Sequence, residues 1–404
     1  MTNPSNHTVL IIADDLTGAV ESTAAFARQG FKTRVIADVN NWSETEVQGY
    51  DVVAFNSQTR NCTTEESSAI IRALARRLVT LDPRLILKRI DSTFRGQILS
   101  ETSVILEELG LERTVIAPAY PSHKRITSGG RIFVDGIPLR DTHYSRTPTP
   151  PPSDIPAAIR ETFGDVLVFS GLSTQNLPET PPAGVYLPDI LLEEDLTRTA
   201  RWVIAQGNSI LPVGSAGLAH AFARFLIPSQ RTNLIPPKPS PSGNQKMLFV
   251  VGSTLPEISN QVRALTSSRQ DVVVVDAANG NRIDVDINSV EEAIIVLKIV
   301  RGSSLITRDE AADNLAETAR LFMDLLPISH LVTVGGDTSN SVINKLGITG
   351  FDILPQDVIG FPRGDTQYDN RSLTYIAKSA GYSDSAIFAS IADTLLPRMQ
   401  EPNK

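Results

Sequence analysis

The sequence predicts an α/β fold of two doubly wound domains with mostly parallel sheets and a cleft between the domains. Short runs of β-branched residues alternate with longer amphipathic segments through most of the chain. A proline-rich stretch near the middle separates two such alternating halves. The length agrees with this division, since 404 residues exceed what a single hydrophobic core usually holds.

In the first half, strands and helices alternate as in a parallel sheet covered by helices on both faces. The predicted strands are Thr8–Ala13, Thr33–Ile36, Asp51–Phe55, Arg84–Lys88, Arg113–Pro118, Val166–Phe169, Gly184–Leu187 and Ser209–Pro212. The predicted helices are Gly18–Gln29, Thr64–Leu78, Gln97–Leu109, Leu192–Gln206 and one that begins at Ala216. From Gly129 to Pro156 the density of proline argues against any helix, although Arg131–Val134 fits a short strand.

A linker at residues 228–246 carries five prolines among serine, glutamine and asparagine, and we place the domain boundary there. The domains are then residues 1–227 and 247–404. The predicted strands of the second domain are Met247–Val251, Val272–Asp276, Ser304–Thr307, His330–Val334, Phe351–Leu354 and Leu373–Ala377. Its predicted helices are Pro256–Leu265, Val290–Val300, Glu310–Leu326 and Thr338–Leu346.

Composition narrows the function classes. The formal net charge of −8 argues against nucleic acid as a partner. No apolar run reaches the roughly 18 residues that a membrane span needs, and residues 1–7 lack a signal-peptide pattern. The single cysteine, Cys62, allows no disulfide within the chain, so a reducing compartment is expected. We therefore expect a cytoplasmic protein without nucleic-acid or membrane partners.

The segment from Asp14 to Gly18, Asp-Asp-Leu-Thr-Gly, joins the first predicted strand to the first helix. Two adjacent carboxylates repel each other unless a cation or a hydroxyl-rich ligand offsets them. One of the two acids could simply cap the helix. Together with Thr17 and Gly18, the pair favours a ligand site at the carboxyl end of the strand.

A second polar cluster, Lys88 to Gly96, follows another predicted strand and interleaves cations with Asp91 and hydroxyl groups. Arginine can bind a carboxylate through two parallel hydrogen bonds, and Asp91 with the hydroxyls can bind sugar hydroxyls. Arg60 follows a third strand and is a further candidate for carboxylate binding. These residues, with Asp14 and Asp15, predict a site for a polyhydroxylated anion.

Two other segments of the first half leave alternatives open. The rigid stretch Ala117–Gly136 includes His123, Lys124 and Arg125, and either closes one wall of the site or forms an interface loop. The small residues of Gly214–Ala219 fit close helix–sheet packing as well as ligand contact.

In the second half, two glycine-bearing turns link a strand to a helix, at Gly252-Ser253-Thr254 and at Gly335-Gly336-Asp337-Thr338. Backbone N–H groups at a helix N-terminus favour phosphate oxygens. Lys378 and Gly381 would complete a nucleotide pocket. No Walker lysine motif and no Gly-x-Gly-x-x-Gly fingerprint occurs at a strand–helix junction, which disfavours P-loop and dinucleotide-binding folds.

Taken in order, these motifs resemble those of the four-carbon acid sugar kinases, which phosphorylate threonate, erythronate or 3-oxo-tetronate with ATP. The resemblance covers nearly the whole chain. It rests on Ala13–Ala19, Lys88–Gly96, Ala117–Pro121, Gly214–Ala219, Gly252-Ser253 and Gly335–Thr338. It implies a substrate domain followed by a nucleotide domain, with ATP and Mg²⁺ as cofactors and a sugar acid as substrate. It leaves open whether the chain forms a homodimer.

The resemblance also implies roles for individual residues. The sugar acid would be held by Asp14, Arg60, Lys88, Arg89, Ile90, Asp91, Ser92 and Arg95. ATP would be held by Ser253, Gly335, Gly336, Asp337, Thr338 and Gly381. Relatives carry two glycines in the last turn, and here Lys378–Ser383 reads Lys-Ser-Ala-Gly-Tyr-Ser, so Gly381 would serve from a shifted position.

The reaction requires the terminal hydroxyl of the acid in line with the γ-phosphate of ATP. The candidate catalytic residues are Asp14, Asp15 and Asp91; among them the general base is not assigned. Asp337 is a candidate for placing Mg²⁺, and no complete ligand set emerges from the sequence.

The motif from Asp91 to Gly96, with Lys88 and Arg89 before it, resembles that of the threonate and erythronate kinases more than that of the 3-oxo-tetronate branch. A non-catalytic sugar-acid sensor and a phosphatase-like hydrolase with Asp14 as nucleophile remain as other classes.

Overall fold

The structure is a computed structural model that describes residues 8–147, 149–228, 245–281, 283–355, 357–359, 361–378 and 384–397. The chain divides into two compact units, Met1–Asn233 and Leu234–Lys404, called here the N-terminal and C-terminal units. Most of the predicted linker lies outside the described residues. No helix among those that are described is long and apolar enough to cross a membrane.

The N-terminal unit alternates strands and helices along most of its length. Its strands are β1 (Val9–Ala13), β2 (Thr33–Ile36), β3 (Val52–Asn56), β4 (Leu85–Arg89), β5 (Arg113–Ala117), β6 (Arg125–Ser128), β7 (Arg131–Val134), β8 (Ile137–Pro138), β9 (Val168–Ser173), β10 (Gly184–Asp189) and β11 (Leu211–Gly214). Its helices are α1 (Leu16–Ala27), α2 (Thr64–Val79), α3 (Ile98–Leu109), α4 (Ile155–Phe163), α5 (Glu193–Ala205) and α6 (Ala216–Phe225).

The main sheet of this unit runs in the order β2-β3-β1-β4-β11-β5-β10-β9, and all of these neighbours pair in parallel. The central strands β1, β3 and β4 are buried along their whole length, which explains the apolar runs with which each begins. Strands β6, β7 and β8 form a separate antiparallel sheet. The predicted short strand Arg131–Val134 is confirmed as β7.

Helix α4 corrects the prediction that the proline-rich stretch excludes a helix as far as Pro156. It begins at Ile155, and Pro156 occupies its first turn, where a missing N–H costs nothing. The Asp154 carboxylate accepts a hydrogen bond from the Ala157 N–H at 2.9 Å and caps this helix.

The C-terminal unit contains strands β12 (Lys246–Val251), β13 (Val272–Ala278), β14 (Ile294–Val300), β15 (Ile328–Val334), β16 (Gly350–Ile353), β17 (Gly364–Tyr368) and β18 (Arg371–Lys378). Its helices are α7 (Pro256–Ser268), α8 (Arg308–Leu325), α9 (Gly336–Lys345) and α10 (Ile387–Leu395). The strand order is β13-β14-β12-β15-β18-β17-β16. Strand β17 is antiparallel to both of its neighbours, and the other pairs are parallel.

Two predictions for this unit are wrong. Residues 290–300, predicted as a helix, contain strand β14, whose residues Ile294–Leu297 are buried between β13 and β12. Residues 304–307, predicted as a strand, precede α8 instead. Thr307 and Glu310 form a capping box there, with the Thr307 N–H donating to the Glu310 carboxylate at 2.8 Å. Strand β17 and helix α10 were not predicted.

Candidate functional site

The carboxyl ends of β1, β3 and β4 bring the predicted polar residues of the N-terminal unit together. In the sheet register Ala13 lies between Asn56 of β3 and Arg89 of β4. The loops that follow these strands therefore leave the same edge of the sheet. They carry the pair Asp14-Asp15, Arg60 and the segment 90–96.

Arg60 forms the centre of this cluster. Its Nε donates to Asp14 Oδ2 at 2.8 Å and its Nη2 to Asp14 Oδ1 at 2.9 Å. Its Nη1 donates to Asp15 Oδ2 at 2.8 Å. The repulsion between the adjacent carboxylates, which the sequence left to be offset by a cation, is thus offset by an arginine of the chain itself.

The two acids have different roles. Asp15 caps α1, since its Oδ1 accepts a hydrogen bond from the Gly18 N–H at 3.0 Å. Asp14 is only 2% exposed and makes no such cap. The sequence-based expectation that one acid serves as a helix cap therefore applies to Asp15, and Asp14 is the carboxylate committed to the cluster.

Arg89 approaches Asp15 from the other side. Its Nη1 lies 3.0 Å from Asp15 Oδ1 and its Nη2 3.5 Å from Glu21 Oε2. A Cβ on Gly18 would lie 2.0 Å from Arg89 Nη1. The glycine of the first motif is therefore needed to leave space for the Arg89 guanidinium.

Lys88 lies in the interior, where the sequence did not place it. Its side chain is fully buried, and its Nζ lies 2.5 Å from Oε2 of Glu101, a buried residue of α3. Burial raises the pKa of Glu101, and the positive charge of Lys88 opposes that rise. Lys88 thus forms a buried ion pair with Glu101. The positive charge of Lys88 also helps to lower the pKa of Asp14.

Asp91 is held by its own loop. Arg95 donates to both of its oxygens, from Nε at 2.7 Å and from Nη2 at 3.1 Å, and the Thr93 hydroxyl donates to Oδ2. The Ser92 hydroxyl accepts a hydrogen bond from Nη1 of Arg125. Arg125 therefore joins the cluster, which favours the alternative that the segment Ala117–Gly136 forms a wall of the site.

Both buried carboxylates remain ionised in this setting. Burial acts to raise the pKa of Asp14, but the charges of Arg60, Lys88 and Arg89 and a hydrogen bond from Arg60 outweigh it, so the pKa is lowered. Burial likewise opposes ionisation of Asp91, but its pKa falls well below its usual range beside Arg60 and Arg95. The pKa of Arg60 is raised well above its usual value; burial opposes this shift, and Asp14, Asp15 and Asp91 outweigh it. The cluster is a charged one at neutral pH.

The loops that carry these groups contain backbone conformations that side chains rarely adopt. Gln58, after β3, has φ 57° and Phe94, after β4, has φ 58°. Gly96 has φ 96°, and a Cβ there would lie 3.4 Å from Asp14 Oδ2. Such strain persists where surrounding contacts over-determine the backbone, which is common at functional sites.

Some predicted residues have a structural explanation. The Ile90 side chain belongs to the hydrophobic core, and its N–H donates to the Gly214 carbonyl at 2.9 Å. A Cβ at Gly214 would lie 2.9 Å from the carbonyl oxygen of Ala117. A Cβ at Gly217 would lie 2.9 Å from the carbonyl oxygen of Ala119. Close packing therefore accounts for both glycines.

Sequence reasoning missed Glu101, Glu21 and Tyr144, because nothing local distinguishes them from ordinary surface residues.

In the C-terminal unit, β12, β15 and β18 end side by side. Val334 pairs with Val251 on one side and with Lys378 on the other. A Cβ at Gly252 would lie 1.8 Å from the Thr338 hydroxyl oxygen, so the turn after β12 touches the first turn of α9. The two glycine-bearing turns predicted from the sequence are thus adjacent in the fold.

The turn into α9 is glycine-rich and open on one side. Gly335 has φ 107°, a conformation that favours glycine, and its N–H donates to the Lys378 carbonyl at 3.0 Å. Gly336 begins the helix and is exposed, and a Cβ there would meet nothing within 4 Å. The start of α9 is therefore open beside Gly336, and a helix N-terminus with open space next to it suits the phosphates of a nucleotide.

The other predicted nucleotide residues lie around this turn. Ser253 is half-buried at the end of β12. The carboxylate of Asp337 pairs with Arg308, with Oδ2 3.1 Å from Nε, and it remains partly exposed. Lys378 is buried at the end of β18, which lowers the pKa of its ammonium group to about 8. Gly381 lies outside the described residues.

Comparison with known proteins identifies both units. The family model described as the sugar-binding N-terminal domain matches residues 9–222, more than half of the chain. That described as the nucleotide-binding C-terminal domain matches residues 252–381.

The D-erythronate kinase of Heliobacterium modesticaldum is 28% identical over an alignment that covers 87% of this chain and 88% of the relative. The D-threonate kinase of Salmonella typhimurium is 28% identical over an alignment that covers 94% of this chain and 96% of the relative. A solved Haemophilus influenzae structure of family DUF1537 covers 96% of this chain and all of its own, with a TM-score of 0.73 and 19% identity, and so shares the fold. The chain belongs to the four-carbon acid sugar kinase family, a family of phosphotransferases.

Proposed function

We propose that the protein transfers the γ-phosphate of ATP to the terminal hydroxyl of a four-carbon sugar acid of the threonate or erythronate type. One observation carries this proposal. Asp14, Asp15 and Asp91 are arranged around Arg60 at one edge of the sheet, and Asp14 and Asp91 remain ionised there. A cluster with both signs of charge suits a substrate that has hydroxyl groups and a carboxylate.

Within this proposal, the carboxylates accept hydrogen bonds from the substrate hydroxyls. Because the pKa values of Asp14 and Asp91 are lowered, each is a weak base. We therefore assign to Asp14 the orientation of the attacking hydroxyl rather than early removal of its proton. This assignment agrees with the dominance of positioning and charge neutralisation in phosphoryl transfer.

The C-terminal unit would bind the triphosphate of ATP. The start of α9, with its dipole and the open space beside Gly336, provides a favourable place for phosphate oxygens. Mg²⁺ commonly uses one or two carboxylates together with substrate phosphates. The partly exposed Asp337 at this turn suits that role, and Mg²⁺ would neutralise phosphate charge during transfer.

The test is a screen for ATP consumption against the stereoisomers of threonate, erythronate and 3-oxo-tetronate. We expect turnover with a threonate or erythronate isomer; preferential turnover of a 3-oxo-tetronate would support the alternative of a 3-oxo-tetronate 4-kinase. Asp14→Asn and Asp91→Asn should each lower kcat at least about 100-fold, since each removes a charge next to the substrate. The exposed Asp165→Asn is the matched control.

ATP binding separates the remaining classes. A thermal shift with ATP should be equal in the wild type, Asp14→Asn and Asp91→Asn, because these residues lie in the N-terminal unit. Sugar-acid binding without an ATP shift would instead indicate a non-catalytic sensor. Phosphate release from a sugar phosphate without ATP, through an aspartyl-phosphate on Asp14, would indicate a hydrolase. Unchanged turnover in both variants would contradict the assignment.

A further inference from the structure

Arg125 is fixed at the edge of the sugar-acid site by backbone contacts on two sides. Strand β6 begins at this residue, which pairs with Val134 of β7. On its other side, the Tyr120 N–H donates to the Arg125 carbonyl at 2.7 Å, and the Arg125 N–H donates to the Tyr120 carbonyl at 3.1 Å. The position of its Cα is therefore set by regular structure rather than by a free loop.

Among the described residues, the guanidinium of Arg125 is held by neutral groups only. Its Nη1 donates to the Ser92 hydroxyl, and its Nη2 lies 3.4 Å from the Tyr144 hydroxyl. It also lies 5.8 Å from the centre of the Tyr144 ring. An arginine has five N–H donors in a planar fork. Two of them serve these contacts, and the side chain is only half-buried, so the others can reach a ligand.

Charge distinguishes Arg125 from the other cations of the cluster. Arg60 pairs with Asp14 and Asp15, Lys88 with Glu101, Arg89 with Asp15, and Arg95 with Asp91. Within the part of the chain that the structure describes, Arg125 has no carboxylate at ion-pair distance. It therefore contributes a positive charge that no acid of the cluster neutralises.

A substrate carboxylate that approached Arg60 or Arg95 would meet the negative charge of the acid that each already holds. Removing Arg60 from its two-point contact would leave Asp14 buried without its main partner, which is strongly unfavourable. Binding at Arg125 requires no such loss. Its flat fork matches the two oxygens of a carboxylate.

We propose that Arg125 binds the carboxylate of the sugar acid and thereby selects acids over neutral polyols of the same length. This inference rests on the proposed function, because it names Arg125 as the residue that binds the carboxylate of the proposed substrate. Ser92 and Tyr144 orient the guanidinium, and the paired carboxylates Asp14 and Asp91 are left for the hydroxyl groups of the substrate.

The test compares Arg125→Met, which keeps length without charge, with Arg125→Lys, which keeps charge without the fork. Arg131→Met on the adjacent strand β7 is the matched control, since Arg131 is exposed. Binding of the preferred sugar acid is measured by calorimetry without ATP, and KM and kcat are measured with ATP. The same variants are assayed with the neutral tetritols erythritol and threitol.

Arg125→Met should raise the Kd and KM for the acid roughly 100-fold and change kcat much less, because a charge-assisted contact present throughout the reaction is lost. Its ratio of kcat/KM for the acid to that for the tetritol should fall by a similar factor. Arg125→Lys should recover part of the affinity, and the ATP-induced thermal shift should not change. Arg131→Met should behave as the wild type.

The outcomes separate this inference from the proposed function. If the wild type phosphorylates the acid and Arg125→Met keeps its affinity and its acid-to-tetritol ratio, only the role of Arg125 is overturned. If the wild type binds the acid through Arg125 but transfers no phosphate, the inference stands and the kinase proposal fails. If the wild type binds none of the acids, both are overturned.

Discussion

Arg60 contacts Asp14 through two parallel hydrogen bonds, Nε to Oδ2 at 2.8 Å and Nη2 to Oδ1 at 2.9 Å. This geometry joins the loop after β3 to the end of β1 and fixes the orientation of the Asp14 carboxylate. The third nitrogen, Nη1, donates a single hydrogen bond to Asp15 Oδ2 at 2.8 Å. The planar fork of one arginine therefore organises both acids of the first motif.

Arg60→Lys is predicted to disable the site while keeping its charge. A lysine ammonium is a point charge and cannot hold two carboxylates in fixed orientations. We expect kcat/KM to fall at least about 100-fold, since a misplaced catalytic group can cost that much. Steady-state kinetics with the preferred sugar acid would measure this. Arg160→Lys, on the exposed face of α4, is the control, and wild-type kinetics in Arg60→Lys would contradict the prediction.

The buried pair of Lys88 and Glu101 gives a second prediction. Glu101→Gln leaves the Lys88 ammonium buried without a counter-charge and should lower the free energy of unfolding by about 3–5 kcal/mol. Replacing both residues, as in Lys88→Met with Glu101→Leu, should cost much less, because neither charge of the pair is then left buried without its partner. Urea unfolding would measure both effects.

Activity is expected to separate from stability in these variants. The charge of Lys88 helps to keep Asp14 ionised, so the double variant should be stable but should lose at least about tenfold in kcat. A double variant that is fully active would show that the pair serves stability alone. Equal destabilisation by the single and the double replacement would contradict the buried-charge argument.

Gly336→Ala provides a test of the nucleotide turn that does not harm the fold. The added Cβ meets nothing within 4 Å, and alanine is favoured over glycine in a helix by roughly 0.5–1 kcal/mol. Stability should therefore be unchanged or higher. If phosphates bind at this turn, the methyl group obstructs them and the Kd for ATP should rise at least about tenfold.

Calorimetry with ATP and thermal unfolding would give the two readouts for Gly336→Ala. Lys345→Ala, at the opposite end of α9, is the control. Sugar-acid binding should be unchanged in both variants. An unchanged Kd for ATP in Gly336→Ala would place the phosphates elsewhere.

His330 predicts a pH dependence of stability. Burial and the nearby Arg363 lower the pKa of this histidine to about 4 from its usual 6.5. Between these values the unfolded state binds a proton that the folded state does not, so stability falls as pH decreases through this window. From pH 7.5 to pH 5.0 the loss due to His330 is about 2 kcal/mol.

The comparison of wild type with His330→Asn isolates this contribution. From pH 7.5 to pH 5.0, the unfolding free energy of the wild type should fall by about 2 kcal/mol more than that of His330→Asn. His220, whose pKa burial also lowers to about 4, titrates in the same range but is common to both proteins. A difference that does not change with pH would contradict the prediction.

The sequence was most informative where strands are buried on both faces. Runs such as Val9–Ala13 have no polar side to mislead the assignment, and the polar residues directly after them mark the edge of the sheet. Because carboxyl ends of parallel strands share one edge, Asp14, Arg60 and Asp91 could be grouped before their contacts were known.

The errors have specific physical causes. Residues 290–300 were predicted as a helix, but the run Ile294–Val300 consists mainly of β-branched residues, which favour the strand that it forms. At Ser304–Thr307, the capping box of Thr307 with Glu310 was overlooked. Strand β17 has few apolar residues and runs antiparallel to both of its neighbours. Neither its composition nor its periodicity therefore indicates a strand.

Pairing within the site could not be read from the sequence. Glu101 lies in α3 and meets Lys88 only because that helix packs on the sheet. Arg125 lies 33 positions from Ser92 in the chain, and its contact depends on the small antiparallel sheet. Composition identifies the charged residues of a site, whereas which charges neutralise each other depends on tertiary packing.

The central claim is that a phosphoryl group passes from ATP to the terminal hydroxyl of a four-carbon sugar acid. The most direct measurement incubates the protein with the preferred acid and with ATP labelled with ¹⁸O in the γ-phosphate. ³¹P NMR of the product then shows which carbon carries the labelled phosphate. We expect a phosphate ester on the terminal carbon, formed at least about 100-fold more slowly by Asp14→Asn. Label released as inorganic phosphate at the same rate with and without the acid would contradict it.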